Sequence, residues 1–456
     1  MEAARALYTL VGSAALPLLP LRLWWRGRRE PLYRMGIGER FGRYRSGTYS
    51  APLLWVHSVS VGETRGALPL VQRIKASYPE ATILLTHMTA SGREAGRELF
   101  GDGVVQAWLP YDVPFAVNRF LAHFRPAAGF LVETELWPNL IAEAHRQDVP
   151  LFLVNARMSE RSAESYARFP SLTRPMLRRL RGVAAQSPAD AARLAELGAP
   201  APIVTGNLKY DVSIPDNALT LGAEFRLRFG ASRPIWMAAS TRDGEEALIL
   251  DAIARIPMPA GSLLVIVPRH PDRFAVVADL LRSRSVPFVR RSENTAVPAD
   301  IGIVLGDSMG EMSAYYAVAD VAFVGGSLLP LGGQNLIEPI ALGIPVLIGP
   351  HTFNFAEATA GAIAAGAARL VADADAMARA VCDLLSDPSS RQAMGDAART
   401  FHAAHQGAVQ RLWNWLRPQV ALSTVAVVLF GVALGASWIP ARAAANLDPV
   451  STLNDE

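Results

Sequence analysis

The stretch Leu53-Leu-Trp-Val-His57-Ser58-Val-Ser60-Val-Gly-Glu63-Thr-Arg-Gly-Ala67 decides how the rest of the chain is read. Its first five residues form a short apolar run suited to a strand buried on both faces. Small residues then lead into a helix with a carboxylate in its first turn. The pattern recurs at Thr82 to Thr86, Gly129 to Val132 and Leu151 to Val154, pauses near Gly206 to Ala218, and restarts at Ile235 to Ala239, Leu263 to Val267, Gly302 to Leu305, Val321 to Val324 and Pro345 to Ile348. Strands alternating with helices build parallel sheets with both faces covered, so the fold class is α/β with two Rossmann-like doubly wound domains. Turn formers without apolar period place a linker at 212–218, between domains at 31–211 and 219–416. Ligands of open α/β sheets sit beyond the carboxyl ends of the strands, and a cleft between the halves is expected there.

A chain of 456 residues accommodates two or three domains. The net charge is only +3, so basic residues matter where they cluster. Arg22, Arg26, Arg28 and Arg29 stand with Trp24 and Trp25 directly after the uncharged run Ala6 to Leu21. That mixture suits anionic headgroups and predicts a membrane anchor over 1–30, spanning or half-inserted, with its basic flank cytoplasmic. A cleaved signal peptide needs a small-residue site that Arg22 and the tryptophans do not supply, and a buried soluble helix is the remaining reading. No comparable basic block suggests nucleic acid. One cysteine, Cys382, excludes an intrachain disulfide and a cysteine metal cluster, and it fits a reducing cytoplasm. In the tail, 417–456, the uncharged run Val420 to Ile439 reads either as a second span or as a segment packed on the body.

Most strand ends carry candidate chemistry. Glu63 is either a favourable helix-dipole residue or a base that takes a proton from an acceptor hydroxyl, with Ser58 and Ser60 orienting it. Glu133-Thr-Glu135-Leu-Trp137-Pro-Asn139 places two acids beside a tryptophan, as caps or as charge at a reaction centre; spacing does not rank them. Arg157 and Arg161 offer cations for phosphate or carboxylate, or are plain surface charge, and Lys209 is placed to neutralise a leaving phosphate. In the second half, Ser240 and Arg242, then Pro268 and Arg269, then Met309, Gly310 and Glu311, then Gly325-Gly-Ser327 and Gly332-Gly-Gln-Asn335-Leu336-Ile337-Glu338 cap successive strands. Glycines there let backbone amides approach a phosphate, and a Glu opening a helix can bind ribose hydroxyls. Asp373-Ala-Asp375 resembles a metal motif but reads better as a helix cap, and His402 and His405 read as one helix face. No metal site and no cofactor is expected.

Taken together, these residues resemble the Kdo (3-deoxy-D-manno-octulosonic acid) transferases of lipopolysaccharide biosynthesis, glycosyltransferase family 30, of the GT-B fold. The likeness runs from about Leu7 to Leu416. Its most specific pieces are Ser58-Val-Ser-Val-Gly-Glu63, Glu133-Thr-Glu-Leu-Trp-Pro-Asn139, Asn155-Ala-Arg157, Gly206-Asn-Leu-Lys209, Pro268-Arg-His-Pro271 and Ile348-Gly-Pro-His-Thr-Phe-Asn-Phe355. The resemblance implies inverting transfer of Kdo from CMP-Kdo to a lipid A precursor at the cytoplasmic face of the inner membrane, in contact with its lipids. It implies Glu63 as general base, one of Glu133 and Glu135 together with Lys209 stabilising the transition state, and CMP contacts at Pro268 and Arg269, Met309 to Glu311 and Asn335 to Glu338. Arg34, Arg40 and Arg43, among Met35, Ile37 and Phe41, are placed to meet an anionic lipid, or form a plain solvated helix. The chain departs from the family pattern at Gln334, Leu336 and Ile337, where His, Pro and Leu are common, at Arg242, where His is common, and in the tail after Leu416. The rival readings are another membrane-associated GT-B lipid glycosyltransferase and a non-catalytic lipid-binding scaffold.

Overall fold

The β-branched and apolar runs pair as parallel strands. In this computed structural model, which describes residues 2–45, 47, 49, 52–212 and 214–420, one sheet holds β1 (Leu53–His57), β2 (Thr82–His87), β3 (Val105–Trp108), β4 (Ala128–Val132), β5 (Leu151–Ala156), β6 (Gly182–Ala185) and β7 (Ile203–Val204), in the order β3-β2-β1-β4-β5-β6-β7. The other holds β8 (Ile235–Thr241), β9 (Leu263–Pro268), β10 (Phe288–Arg290), β11 (Ile303–Leu305), β12 (Val321–Val324), β13 (Val346–Ile348) and β14 (Ala368–Leu370), in the order β10-β11-β9-β8-β12-β13-β14. Every pairing is parallel. Strand order reverses direction between β1 and β4 in the first sheet and between β8 and β12 in the second, which makes two switch-point crevices.

Both faces of each sheet are covered, so alternate residues of one strand enter different cores. Leu53 and Trp55 pack on one side of β1, while Leu54 and Val56 pack on the other. In β8, Trp236 and Ala238 oppose Ile235, Met237 and Ala239 in the same way.

The compact units divide differently from the linear expectation. The second unit spans Val212–Gln406, and residues 407–420 belong with the first. This corrects the boundary placed at 416. The cause is burial: residues 408–420 are helical, and Ala408, Leu412, Trp413, Leu416 and Val420 lie in the core containing Leu54 and Val56. Arg411 Nε donates to the Thr205 carbonyl at 2.9 Å, and Asp211 accepts from the amides of Gly407 and Val409 at that helix start. Of the run Val420 to Ile439, all but Val420 lies outside the described residues.

At the N-terminus, helix Glu2–Ala15, a 3-10 turn at Leu16–Leu18 and helix Leu19–Arg26 follow one another, the break coinciding with Pro17 and Pro20. By length and composition, Ala3–Arg26 is enough to cross a membrane. Beyond it, Arg40 is not the lipid-facing cation expected: it is 2 % exposed, its guanidinium lies 4.1 Å from the Trp108 ring, and its Nη2 donates to the Met88 carbonyl. Arg34 reaches back to the Trp24 carbonyl, while Arg43 stays exposed.

Asp211→Ala removes both amide partners of the closing helix. It is expected to cost the first unit about 1–2 kcal/mol, the scale of a lost N-cap, read as a lowered urea midpoint with an unchanged slope.

Candidate active site

The carboxyl end of the first sheet gathers the acids around the switch point. Beyond β1, Ser60 caps helix Val61–Ser77, and Glu63 folds back over that cap. Glu63 accepts from the Val59 amide at 2.6 Å and from Ser60 Oγ at 2.8 Å, while its own amide donates to Ser60 Oγ at 3.3 Å. This is a capping-box arrangement that fixes the side chain. Burial raises the Glu63 pKa above the ordinary carboxylate value. The two hydrogen bonds and Lys209 pull it down, and Glu133 pushes it further up.

Glu133 begins the loop after β4 with φ 63°, a left-handed conformation that a side chain adopts only under constraint. Its Oε1 accepts from Lys209 Nζ at 2.9 Å. Lys209 belongs to the 3-10 turn Leu208–Tyr210, whose start is fixed twice: Asn207 Oδ1 accepts from the Lys209 amide, and Asn155 Oδ1 accepts from the Leu208 amide. The lysine stem passes close over Gly66, where an added Cβ would stand 3.3 Å from Lys209 Cε. A larger residue there crowds the lysine.

Glu135 is held otherwise. Its Oε2 accepts from the Trp137 indole at 2.9 Å, and burial, then the neighbouring Glu63, push its pKa up to about 7. His57 Nε2 stands 3.9 Å from that oxygen, but burial lowers the His57 pKa to about 3, so the contact is not an ion pair near neutrality. Beside Glu135 a cavity of 650 Å³ is walled by Trp137, Tyr166, Phe169, Met176 and Tyr8 of the N-terminal helix, with Arg161 at its edge. Arg157 is exposed beyond β5, and its carbonyl accepts from the Thr134 hydroxyl.

Two expectations require correction. Ser58 is fully buried, and its hydroxyl pairs with Thr64 at 3.1 Å rather than with Glu63, so it supports the loop. In the second unit, the glycine loop after β12 does not offer its amides to a phosphate. The buried Glu245 carboxylate already accepts from Gly326, Ser327 and Leu328 at 2.6, 3.0 and 3.0 Å, and from the Arg242 amide at 2.9 Å. The chain's own anion fills that crevice.

Around it, Ser240 takes φ 53° where β8 shifts register. The Arg269 amide, one residue past Pro268, donates to the Thr241 carbonyl at 3.0 Å. Among the described residues, the side chains of Arg242 and Arg269 form no ion pair. Met309 is exposed, Gly310 has open space at its α-carbon, and Glu311 pairs with Arg291 at 2.9 Å. Asn335 bonds Glu338 and caps the Ile337 amide, while Leu336 and Ile337 are buried and present no side chain to a ligand. Asp373 caps helix Ala374–Ser386 by accepting from the Ala376 amide at 2.7 Å.

Comparison with known proteins identifies the family. Residues 35–212 match the family described as 3-deoxy-D-manno-octulosonic-acid transferase, and residues 247–401 match glycosyl transferases group 1. A 3-deoxy-D-manno-octulosonic acid transferase of Bordetella pertussis is 45 % identical over 434 residues, covering 90 % of this chain and 99 % of the relative. The chain belongs to the Kdo transferase family. The Haemophilus influenzae member is 38 % identical to this transferase, over 91 % of the chain and 98 % of the relative. Among solved structures, a UDP-GlcNAc 2-epimerase from Neisseria meningitidis is similar in fold, with a TM-score of 0.50 at 16 % identity over 80 % of this chain and 99 % of that one. The transferase is a glycosyltransferase of GT-B type that acts in lipopolysaccharide synthesis by transferring Kdo.

Glu63, Asn155 and Gly66 show different degrees of visibility in sequence. Glu63 follows a strand directly, whereas Asn155 and Gly66 act only by holding Lys209. Glu245 announces itself as one of two adjacent acids opening a helix, but sequence does not show that its partners lie in the loop after β12.

The acid limb of kcat/KM against pH tests the charge cluster. Glu133→Gln removes a like charge and is expected to move the limb to lower pH, whereas Lys209→Met removes the compensating cation and moves it to higher pH. Glu135 supplies a stability test of known sign. Its folded pKa is raised from 4.5 to about 7, so its favourable contribution is complete below about pH 4.5 and lost as pH rises through about 7. Glu135→Gln is therefore expected to raise the melting temperature relative to the parent more at pH 8 than at pH 5, measured by calorimetry.

Proposed function

We propose that the transferase carries Kdo from CMP-Kdo to a hydroxyl of a lipid A precursor, with inversion and with Glu63 as general base. The observation that carries this reading is the Glu63 carboxylate, fixed by the Val59 amide and Ser60 hydroxyl, with a raised pKa and near the Lys209–Glu133 pair. A raised pKa makes a carboxylate a better proton acceptor. Glu63 takes the acceptor proton, the freed oxygen bonds to the anomeric carbon, and the bond from that carbon to the CMP phosphate breaks with its electron pair. Lys209, steered by Glu133, meets developing negative charge, and such preorganised charge often contributes most to catalysis.

The donor nucleotide rests on the strand ends of the second unit. Ser240, Arg242 and Arg269 face its anionic groups, with Pro268, the loop Met309 to Glu311, and Asn335 to Glu338 about it, Leu336 and Ile337 through their backbone alone. The acceptor approaches the first unit past Arg157 and the cavity beside Glu135, and the enzyme works on the cytoplasmic face of the inner membrane.

Detergent-solubilised protein with CMP-Kdo and a tetraacylated lipid A precursor, with and without chelator, is expected to yield acceptor heavier by whole Kdo residues, read by mass spectrometry. Absence of product with demonstrably intact reagents would count against the reaction. Glu63→Gln is expected to lower turnover by at least about a hundredfold; near-normal turnover would remove the base assignment alone.

A further inference from the structure

The N-terminal helices touch the first unit near both ends. Arg5 Nη1 meets Glu143 Oε1 at 3.2 Å, Tyr8 hydrogen-bonds Asp112, and Thr9 Oγ1 donates to Asn139 Oδ1 at 3.0 Å. Asp112 also accepts from the amides of Asn139 and Leu140, so these contacts converge on the start of helix Pro138–Arg146, directly after Trp137. One turn further, an added Cβ at Gly12 would touch Val113 at 3.9 Å, and near the other end Leu23 is buried with Tyr33, Ala90 and Trp108. The inward positions follow a helical stripe, and the opposite face is apolar. There Leu10 and Leu18 are both 67 % exposed, with Leu7, Val11, Leu21 and Trp25 exposed beside them. Arg22, Arg28 and Arg29 are exposed at the same end as the tryptophans.

A spanning helix cannot have this geometry. Arg5 and Leu23 lie about 27 Å apart along a helix rising about 1.5 Å per residue, so a segment crossing a bilayer would carry one of them far from a domain that stays on one side. Both touch that domain. Crossing would also take Arg5, Tyr8 and Thr9 away from Glu143, Asp112 and Asn139 and draw Arg5 toward the far leaflet, against the cost of charge in hydrocarbon.

We infer that residues 3–26 lie in the plane of one membrane interface, with the leucine face in the acyl boundary of an anionic leaflet and the polar stripe clasped to the catalytic unit. An in-plane helix with an apolar face and an arginine-rich end binds a surface by buried area and headgroup attraction. The same helix supplies Tyr8 to the cavity beside Glu135, so the bilayer interface and the acceptor side of the site share a wall. This inference rests on the membrane location proposed above, and its test separates the two.

In a Cys382→Ser background, spin labels at Leu7→Cys, Leu10→Cys, Leu18→Cys and Leu21→Cys are placed in vesicles containing phosphatidylglycerol, and their depth is read by power saturation. All four are expected at a similar depth, roughly 5–10 Å into the headgroup and acyl boundary, with Kdo transfer retained. A progression in depth of about 16 Å between positions 7 and 18, as a rise of about 1.5 Å per residue requires, would overturn the in-plane helix and leave the membrane location standing. Labels that all read as aqueous would overturn both, while Kdo transfer in detergent would still report on the reaction.

Discussion

The ion pair between Lys209 and Glu133 is the contact around which the active end of the first unit is organised. Glu63, Glu133 and Glu135 come together because two neighbouring strands end at one crevice, and partly buried carboxylates that close repel one another and favour protonation. An ammonium group, an indole and a backbone amide offset that tendency unequally. Glu133 has the cation, Glu63 has the amide and hydroxyl, and Glu135 has the indole, its pKa pushed up to about 7 by burial and the neighbouring Glu63. The left-handed backbone at Glu133 is strain spent on reaching the lysine.

The second unit handles anions in the opposite manner. Its switch-point crevice is occupied from within by Glu245, whose two oxygens take four backbone amides and tie the loop after β8 to the loop after β12. A loop saturated this way is rigid, and it presents a neutralised surface on which the uncommitted arginines Arg242 and Arg269 stand out.

Much of this was legible in the sequence, for identifiable reasons. Strands buried on both faces are written as unbroken apolar runs, so β1, β8 and β12 were read nearly to the residue. The edge strands β7, β10 and β14 are two or three residues long and partly exposed, and they carry no comparable signal. Glu63, Glu133, Glu135 and Lys209 stood out because each follows a strand or closes the first half. What stayed hidden depends on contacts far apart in the chain: Glu245 reaching residues more than eighty positions later, Arg40 withdrawn beneath Trp108, and the helix after Gly407 returning to the first core. Local composition describes none of these, since an arginine beside apolar residues reads as amphipathic surface whether it points outward or lies against a ring.

That returning helix has a consequence for how the protein comes into being. The first core is assembled from the opening residues of the chain and from Leu412, Trp413, Leu416 and Val420, with the entire second unit inserted between them. A ribosome delivers the final piece only after some two hundred intervening residues have been made. During that interval the face of the first sheet that Trp413 will cover stays open, exposing apolar surface of the kind that draws chaperones and promotes association. The order of synthesis thus runs against the order of burial, and the second unit can close before the first one does.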